Sequence, residues 1–171
     1  MTITQTIVVT GGGSGGHITP ILAVARELKL ASSRTRIVYI GQTGDARLDD
    51  IVAADPNIDE MFSVRAGKFR RYNGEGWQQL FDVKRAYLNI RDGFQVLMGV
   101  WQSFWLLRRL KPAVIFTRGS YVSVPVTLAG ALQRIPYITH DSDAIPSLTN
   151  RLIARWAAVH AVALPEVLYP Y

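Results

Sequence analysis

Ile7-Val8-Val9-Thr10-Gly11-Gly12-Gly13-Ser14-Gly15-Gly16-His17 decides the fold. Ile7 to Thr10 are apolar or β-branched and predict a strand. Ile21-Leu22-Ala23-Val24-Ala25-Arg26-Glu27-Leu28, just beyond, predicts a helix. Strand, glycine turn and helix therefore follow one another. Five of the seven residues from Gly11 to His17 lack a Cβ, more than a tight turn requires. Such a backbone lets another group approach closely. The free N–H groups that open the helix favour negative charge there.

Gly11, Gly13 and Gly16 satisfy the spacing of a dinucleotide-binding turn. That site needs an acidic residue at the end of the second strand to hold a ribose. The second strand, Arg36-Ile37-Val38-Tyr39-Ile40, ends instead in Gly41-Gln42, and no carboxylate appears before Asp45. This argues against a nicotinamide oxidoreductase. A phosphate-binding P-loop needs Lys followed by Ser or Thr after the last glycine, where this chain has His17-Ile18. What remains is a glycine loop whose histidine can meet a bound ligand as base or hydrogen-bond partner.

The 171 residues suffice for one domain with a real core. A hydrophobic content of 49% against 19% charged residues excludes a disordered chain. The absence of cysteine excludes disulfides and thiolate metal sites and fits a reducing cytoplasm. Met1 to Gln5 carry no basic residue, which predicts no signal peptide, and no apolar run is long enough to span a bilayer. The net charge of +6 is concentrated between Arg65 and Lys111, where ten Lys or Arg face only Glu75, Asp82 and Asp92. That excess points to a partner carrying phosphates, and an anionic membrane surface is one such partner. No nucleic-acid-binding motif accompanies it, so nucleic acid is not expected as a partner.

After a first helix ending near Leu30 to Ser33, a short polar helix at 45–55 and a third strand at 60–64 continue the alternation of a parallel sheet. The segment 65–110 breaks the rhythm, opening with the basic, aromatic Gly67-Lys68-Phe69-Arg70-Arg71-Tyr72. Two helical segments follow, at 77–90 and 94–110. The first interleaves Trp77, Leu80, Phe81 and Leu88 with Lys84, Arg85 and Arg91. That pattern suits either a helix lying on anionic lipid or an amphipathic helix on the sheet with a basic edge. In the second, Phe94, Leu97, Met98, Trp101, Phe104 and Trp105 form one stripe, with Val96, Val100 and Leu107 on a further apolar side. A helix apolar on most sides reads as core. Strands at 113–117, 136–140 and 159–164 and helices at 122–133 and 147–156 complete the chain. Ligands of such sheets bind beyond the carboxyl ends of the strands. The loops 11–17, 117–121 and 140–144 are therefore expected to line one crevice, bringing together Ser14, His17, Arg118, Tyr121, His140, Asp141 and Asp143.

Three ordered elements carry a resemblance. Gly12-Gly-Ser-Gly-Gly-His17-Ile-Thr-Pro20 resembles the first glycine loop of the family 28 glycosyltransferases. Gly119-Ser-Tyr-Val-Ser-Val-Pro125 resembles that family's G-G-Y-V-S-x-P element, and His140-Asp-Ser-Asp-Ala-Ile-Pro-Ser-Leu-Thr-Asn150 its H-E-Q-N-x-x-x-G-L-T-N segment. The resemblance implies a Rossmann-like α/β domain, with a parallel sheet and helices on both faces, as the N-terminal half of a GT-B fold. Residues 1–171 would be one acceptor- and membrane-binding domain, with the C-terminal donor-binding domain absent and supplied in cis or in trans; alone, this piece is expected to be inactive. The implied reaction is inverting transfer of N-acetylglucosamine from UDP-N-acetylglucosamine to a lipid-linked sugar, the peptidoglycan step from lipid I to lipid II, at the cytoplasmic face of the membrane. The alternative is a non-catalytic membrane-anchoring subunit of a split glycosyltransferase.

The resemblance also distributes roles. His17 is the first candidate for the base and Asp141 the second. Ser14, Gly15, Gly16 and Asp143 would meet the donor, and Tyr121 and Asn150 the acceptor. Trp77, Phe81, Lys84 and Arg85 would face the membrane. The co-substrate is UDP-N-acetylglucosamine; no cofactor and no metal are expected. Two residues depart from the family pattern, Asp141 standing for Glu and Asp143 for Asn. Asp143 would put like charge beside a diphosphate unless protonated or paired. The two also spell Asp-Ser-Asp, a pattern that holds divalent cations in other glycosyltransferases. Hard cations need more oxygen ligands than this pair supplies.

Overall fold

A computed structural model of the chain describes residues 5–68, 83–143 and 147–169, with the side chains of 83–86 left aside. Six strands form one parallel sheet: β1 (Thr6–Thr10), β2 (Arg36–Gln42), β3 (Glu60–Val64), β4 (Val114–Thr117), β5 (Tyr137–Asp141) and β6 (Val159–Val162). Their spatial order is β3-β2-β1-β4-β5-β6. The order reverses at β1, so the turns leaving β1 and β4 open a crevice between them. Thr10 pairs with Thr117, which sets the ends of these two strands side by side.

Among the described residues five α-helices cover the sheet: α1 (Gly15–Ala31), α2 (Ala46–Ala53), α3 (Val83–Leu110), α4 (Ser123–Leu132) and α5 (Leu148–Ile153), the last continued by a 3-10 turn at Ala154–Trp156. Val8, Val38, Ile40, Ile115 and Tyr137 face one layer with Leu107, Leu110, Val124, Val126 and Ile153 from α3, α4 and α5. Ile7, Val9, Ile37 and Tyr39 face the other with Ile18, Ile21 and Ala25 from α1 and Leu48 and Val52 from α2. The central strands are buried on both faces, which explains why they read as unbroken apolar runs.

The segment 65–110 differs from the sequence reading in two respects. There is no break at Arg91-Asp92-Gly93: α3 runs through it, and buried Asp92 takes an ion pair from Arg91 at 2.9 Å. Nor is the aromatic stripe core. Phe94, Leu97, Trp101 and Trp105 are exposed, while Val96, Val100, Phe104 and Leu107 pack inward. The reason is the size of the inward residues. A Cβ at Gly99 would stand 1.9 Å from the Arg65 carbonyl oxygen, so the backbones meet there and no large ring fits. Phe104 alone of the expected aromatics reaches the core. Of the four residues expected to face a membrane, Trp77 and Phe81 lie outside the described residues. Lys84 and Arg85 fall in the first turn of α3.

Candidate functional site

The loop after β1 carries Ser14 and His17. Ser14 precedes α1 with extended backbone, and its side chain makes no capping bond. Gly15 and Gly16 begin the helix on its open side, with no atom crowding Gly15. Gly13, at φ 77°, lies under Tyr121; a Cβ there would be 2.6 Å from the ring. Tyr121 donates to Gln42 Oε1 at 2.6 Å. The residue that ends β2, where a dinucleotide site would keep its carboxylate, instead anchors a tyrosine. Burial, with the charge of Asp45 nearby, raises the Tyr121 phenol above its ordinary value, so it stays a neutral donor.

These parts surround a pocket of about 400 Å³, within the usual range of small-molecule sites. Its polar wall is Gly12, Gly13, Ser14, His17, Lys68, Ser120, Tyr121, Ser147 and Thr149. Its apolar wall is Val96, Val124, Leu148 and Leu152. His17 is half-buried, and its Nδ1 has no hydrogen-bond partner among the described residues. Desolvation by burial lowers its pKa below 6.5, and the Arg118 cation pushes the same way, against Asp143 and Asp141. The imidazole is neutral near pH 7, the form in which it can accept a proton.

Arg118 is the hub behind this wall. Only 5% exposed, it is hydrogen-bonded to Ser142 and lies 3.9 Å from Asp141 and 3.6 Å from Asp143. The like-charge objection to Asp143 is met by this pairing. Asp143 itself stays exposed at the rim. His140 is half-buried behind the pocket, its pKa lowered first by burial and then by Arg118.

Asp141 and Asn150 are not on the pocket wall. Asp141 closes β5 instead of lying in the loop beyond it. It accepts from the Ser147 amide at 3.1 Å and from Asn150 Nδ2 at 3.0 Å. Asn150, wholly buried, also donates to the His140 carbonyl, and its N–H is capped by Ser147 Oγ at 3.0 Å. Gly119, at φ 84°, leaves the space Asn150 occupies: a Cβ there would meet Oδ1 at 2.1 Å. The two residues brace the start of α5 against the β4 turn, so their geometry is that of a support under the site. The three side chains of Asp141-Ser142-Asp143 all meet the Arg118 guanidinium, and no cluster of three possible metal-ligating side chains occurs among the described residues. The sequence reading did not single out Lys68, Ser120, Ser147, Leu148 or Leu152 for the site. Lys68 reaches it through a close approach, Gly67 against Asp92, that no local pattern announces.

The description of glycosyltransferase family 28 N-terminal domains matches residues 7–162. The chain belongs to that family. A UDP-N-acetylglucosamine–N-acetylmuramyl-(pentapeptide) pyrophosphoryl-undecaprenol N-acetylglucosamine transferase of Bacillus thuringiensis strain Al Hakam is 39% identical over 160 residues, which are 94% of this chain and 41% of that protein. The corresponding transferase of Clostridium botulinum strain Langeland is also 39% identical over 160 residues, 94% of this chain and 40% of its own. This family 28 domain therefore spans about two fifths of the length of these relatives. Among solved structures, MurG of Acinetobacter baumannii superposes with a TM-score of 0.71 at 21% identity, over 94% of this chain and 42% of that one. The Streptomyces glycosyltransferase SsfS6 follows at 0.59 and 18%, over 89% and 42%. These likenesses establish the α/β fold shared with glycosyltransferases.

Proposed function

We propose that this family 28 domain is the acceptor-binding half of an inverting N-acetylglucosaminyltransferase. The acceptor is a lipid-linked N-acetylmuramyl diphosphate like the one named for its relatives, and the step is that from lipid I to lipid II. The observation that carries the reading is His17. A neutral, half-buried imidazole stands on the pocket wall at the topological switch point, beside a loop that favours anions. His17 takes the proton from the acceptor hydroxyl as that oxygen attacks C1 of the sugar and UDP leaves from the opposite face. Asp141 is a positioning residue that holds Ser147 and Asn150. Ser14, Gly15 and Gly16, on the open side of the loop, face a donor held mainly by a second, donor-binding domain, in cis or in trans. Tyr121 lines the acceptor side, and no metal is required.

The reading includes docking at the cytoplasmic face of the membrane. No helix among the described residues is long and apolar enough to cross a membrane, yet α3 presents an exposed aromatic stripe ending in Arg108 and Arg109. The rival, a non-catalytic anchoring subunit, shares that surface but does not need His17. The deciding experiment joins the chain to the donor-binding half of a relative and measures transfer from UDP-N-acetylglucosamine. His17→Ala should lower kcat by about 100-fold or more with acceptor binding retained. Full activity in that variant would leave the anchoring role as the answer.

A further inference from the structure

Past β6 the chain stays beside the turn that follows β5. The Ala163 amide donates to the Asp141 carbonyl at 3.1 Å, and a 3-10 turn at Glu166–Leu168 comes next. Every residue from Ala163 to Leu168 is exposed, Val167 at 89%, whereas Tyr169 is 7% exposed. Apolar burial therefore holds this segment through one ring. Beside that ring is a cavity of about 230 Å³ shared with His160, Val162 and Glu166, which leaves the ring room to shift. Its hydroxyl lies 3.2 Å from the Asp143 carbonyl oxygen and 3.5 Å from that of Asp141. A phenol has one proton to donate, so the two carbonyls share it. Asp141 and Asp143 flank Ser142, and one O–H thus spans the whole turn.

The turn so tethered is the one that holds Arg118. Ser142 Oγ accepts from Arg118 Nη2, Asp143 Oδ2 lies 3.6 Å from the same nitrogen, and Asp141 Oδ1 lies 3.9 Å from Nη1. Asp141 is fixed by its place in β5, but Ser142 and Asp143 lie past the end of the strand. Within the turn the Asp143 amide reaches Asp141 Oδ1 only at 3.4 Å, a long bond, so the shorter contact from Tyr169 does more to place Asp143. The charged groups facing His17 are Arg118 from the β4 turn, Asp141 from β5 and Asp143 beyond it; Lys68 shares the pocket wall. Displacing Asp143 changes the field at His17 while β5 keeps Asp141 where it is.

Building on the transferase reading, we propose that Tyr169 is a positioning residue: its hydroxyl fixes the turn at 141–143, and the turn holds Arg118 behind His17. The path is contiguous, from the Tyr169 O–H to the backbone of the turn and from the side chains of the turn to Arg118. The segment beyond β6 is thereby tied to the site, and a donor-binding half that moves this segment moves the turn as well.

Tyr169→Phe tests the assignment, since it keeps the ring and removes only the O–H. In this chain the Asp143 amide should exchange its hydrogen about tenfold faster, with the Ile138 amide in β5 unchanged. By ring-proton NMR, His17 should titrate about 0.3 pH units lower as the Asp143 carboxylate withdraws and leaves Arg118 less opposed. Asp143→Asn should lower the midpoint too, and adding Tyr169→Phe to it should produce no further shift. Val167→Ser, on the same segment, should leave both readouts unchanged. An unmoved His17 midpoint in folded Tyr169→Phe, or additive shifts in the double variant, would overturn the assignment. A second measurement separates it from the transferase reading. In the chain joined to a donor-binding half, Tyr169→Phe should lower kcat about tenfold with the acceptor KM within about twofold. If His17→Ala cripples that protein while Tyr169→Phe works at the full rate, the positioning role falls and the transferase stands. If the joined wild-type protein transfers no sugar while the His17 shifts appear as described, the transferase reading falls and the tether stands.

Discussion

Arg118 Nη1 lies 3.9 Å from Asp141 Oδ1, with 6% and 1% of the two side chains exposed. A buried carboxylate facing a buried guanidinium makes each strongly dependent on the other. The groups facing His17 from neighbouring elements are Arg118 on the β4 turn, Asp141 at the end of β5 and Asp143 beyond it; the first turn of α1 adds no acid. Arg118→Met removes the one cation of this set. The fold should lose about 3 kcal/mol in chemical denaturation, and the His17 and His140 rings should titrate at higher pH, with the aspartates unopposed. Arg118→Lys should restore most of both effects. Ring-proton NMR reads the midpoints directly, with His160, whose shift has no Arg118 contribution, as internal control. An unmoved His17 midpoint in folded Arg118→Met would sink the coupling.

Acid should weaken the fold through its histidines. His17, His140 and His160 all have folded pKa values lowered from 6.5, chiefly by burial. Below 6.5 the unfolded chain binds protons that the folded chain refuses, so stability rises with pH through this window and falls as pH drops. Thermal melts from pH 7.5 to 5.5 should show a declining Tm, and His140→Gln should flatten the decline. A Tm independent of pH across that range would contradict the assignment.

The sheet was legible from the sequence because buried parallel strands are short apolar runs, and β1, β2 and β4 are such runs, each followed by a glycine turn. The pairing of the loops after β1 and β4 was equally legible, since it follows from topology once strand and helix alternate. The orientation of α3 was not. Its sequence is apolar on most sides, and what chooses the inward face is the fit of Gly99 against the Arg65 carbonyl, a contact spanning 34 positions. Asp141 was expected in a crevice-lining loop and Asn150 toward the acceptor, and the positions of both behind the pocket wall were hidden for a related reason. Their letters matched a motif, but a residue that touches ligand and one that braces its neighbour leave the same trace in a sequence.

The seating of α3 rests on that close approach, so Gly99→Ala should be more costly than its place in a helix suggests. Alanine normally stabilises a helix interior relative to glycine. Here the new methyl would stand 1.9 Å from the Arg65 oxygen and 3.0 Å from Pro125 Cβ, forcing the helix outward. Chemical denaturation should show a loss of about 1–3 kcal/mol. Gly93→Ala, on the same helix with open space around it, should be neutral or stabilising. Equal effects at the two positions would refute the packing account.

Tyr87, Ile90, Phe94, Leu97, Trp101 and Trp105 recur along α3 at helical spacing, and all are exposed. A contiguous apolar strip on a helix with Lys84, Arg85, Arg108 and Arg109 near its ends fits a surface that enters anionic lipid, rings in the interface and cations toward headgroups. Phe94→Ser with Trp101→Ser should cut sedimentation with phosphatidylglycerol vesicles severalfold, while folding stability changes by less than about 1 kcal/mol because both rings are solvated. Lys84→Glu with Arg85→Glu should weaken binding chiefly at low salt, where headgroup attraction is least screened. Trp77→Ser with Phe81→Ser supplies the comparison. If that pair abolishes vesicle binding while the Phe94 and Trp101 pair leaves it whole, docking belongs to the segment before α3 and the stripe has another use. If the stripe variant loses binding to neutral and anionic vesicles alike, insertion of the rings dominates over headgroup charge.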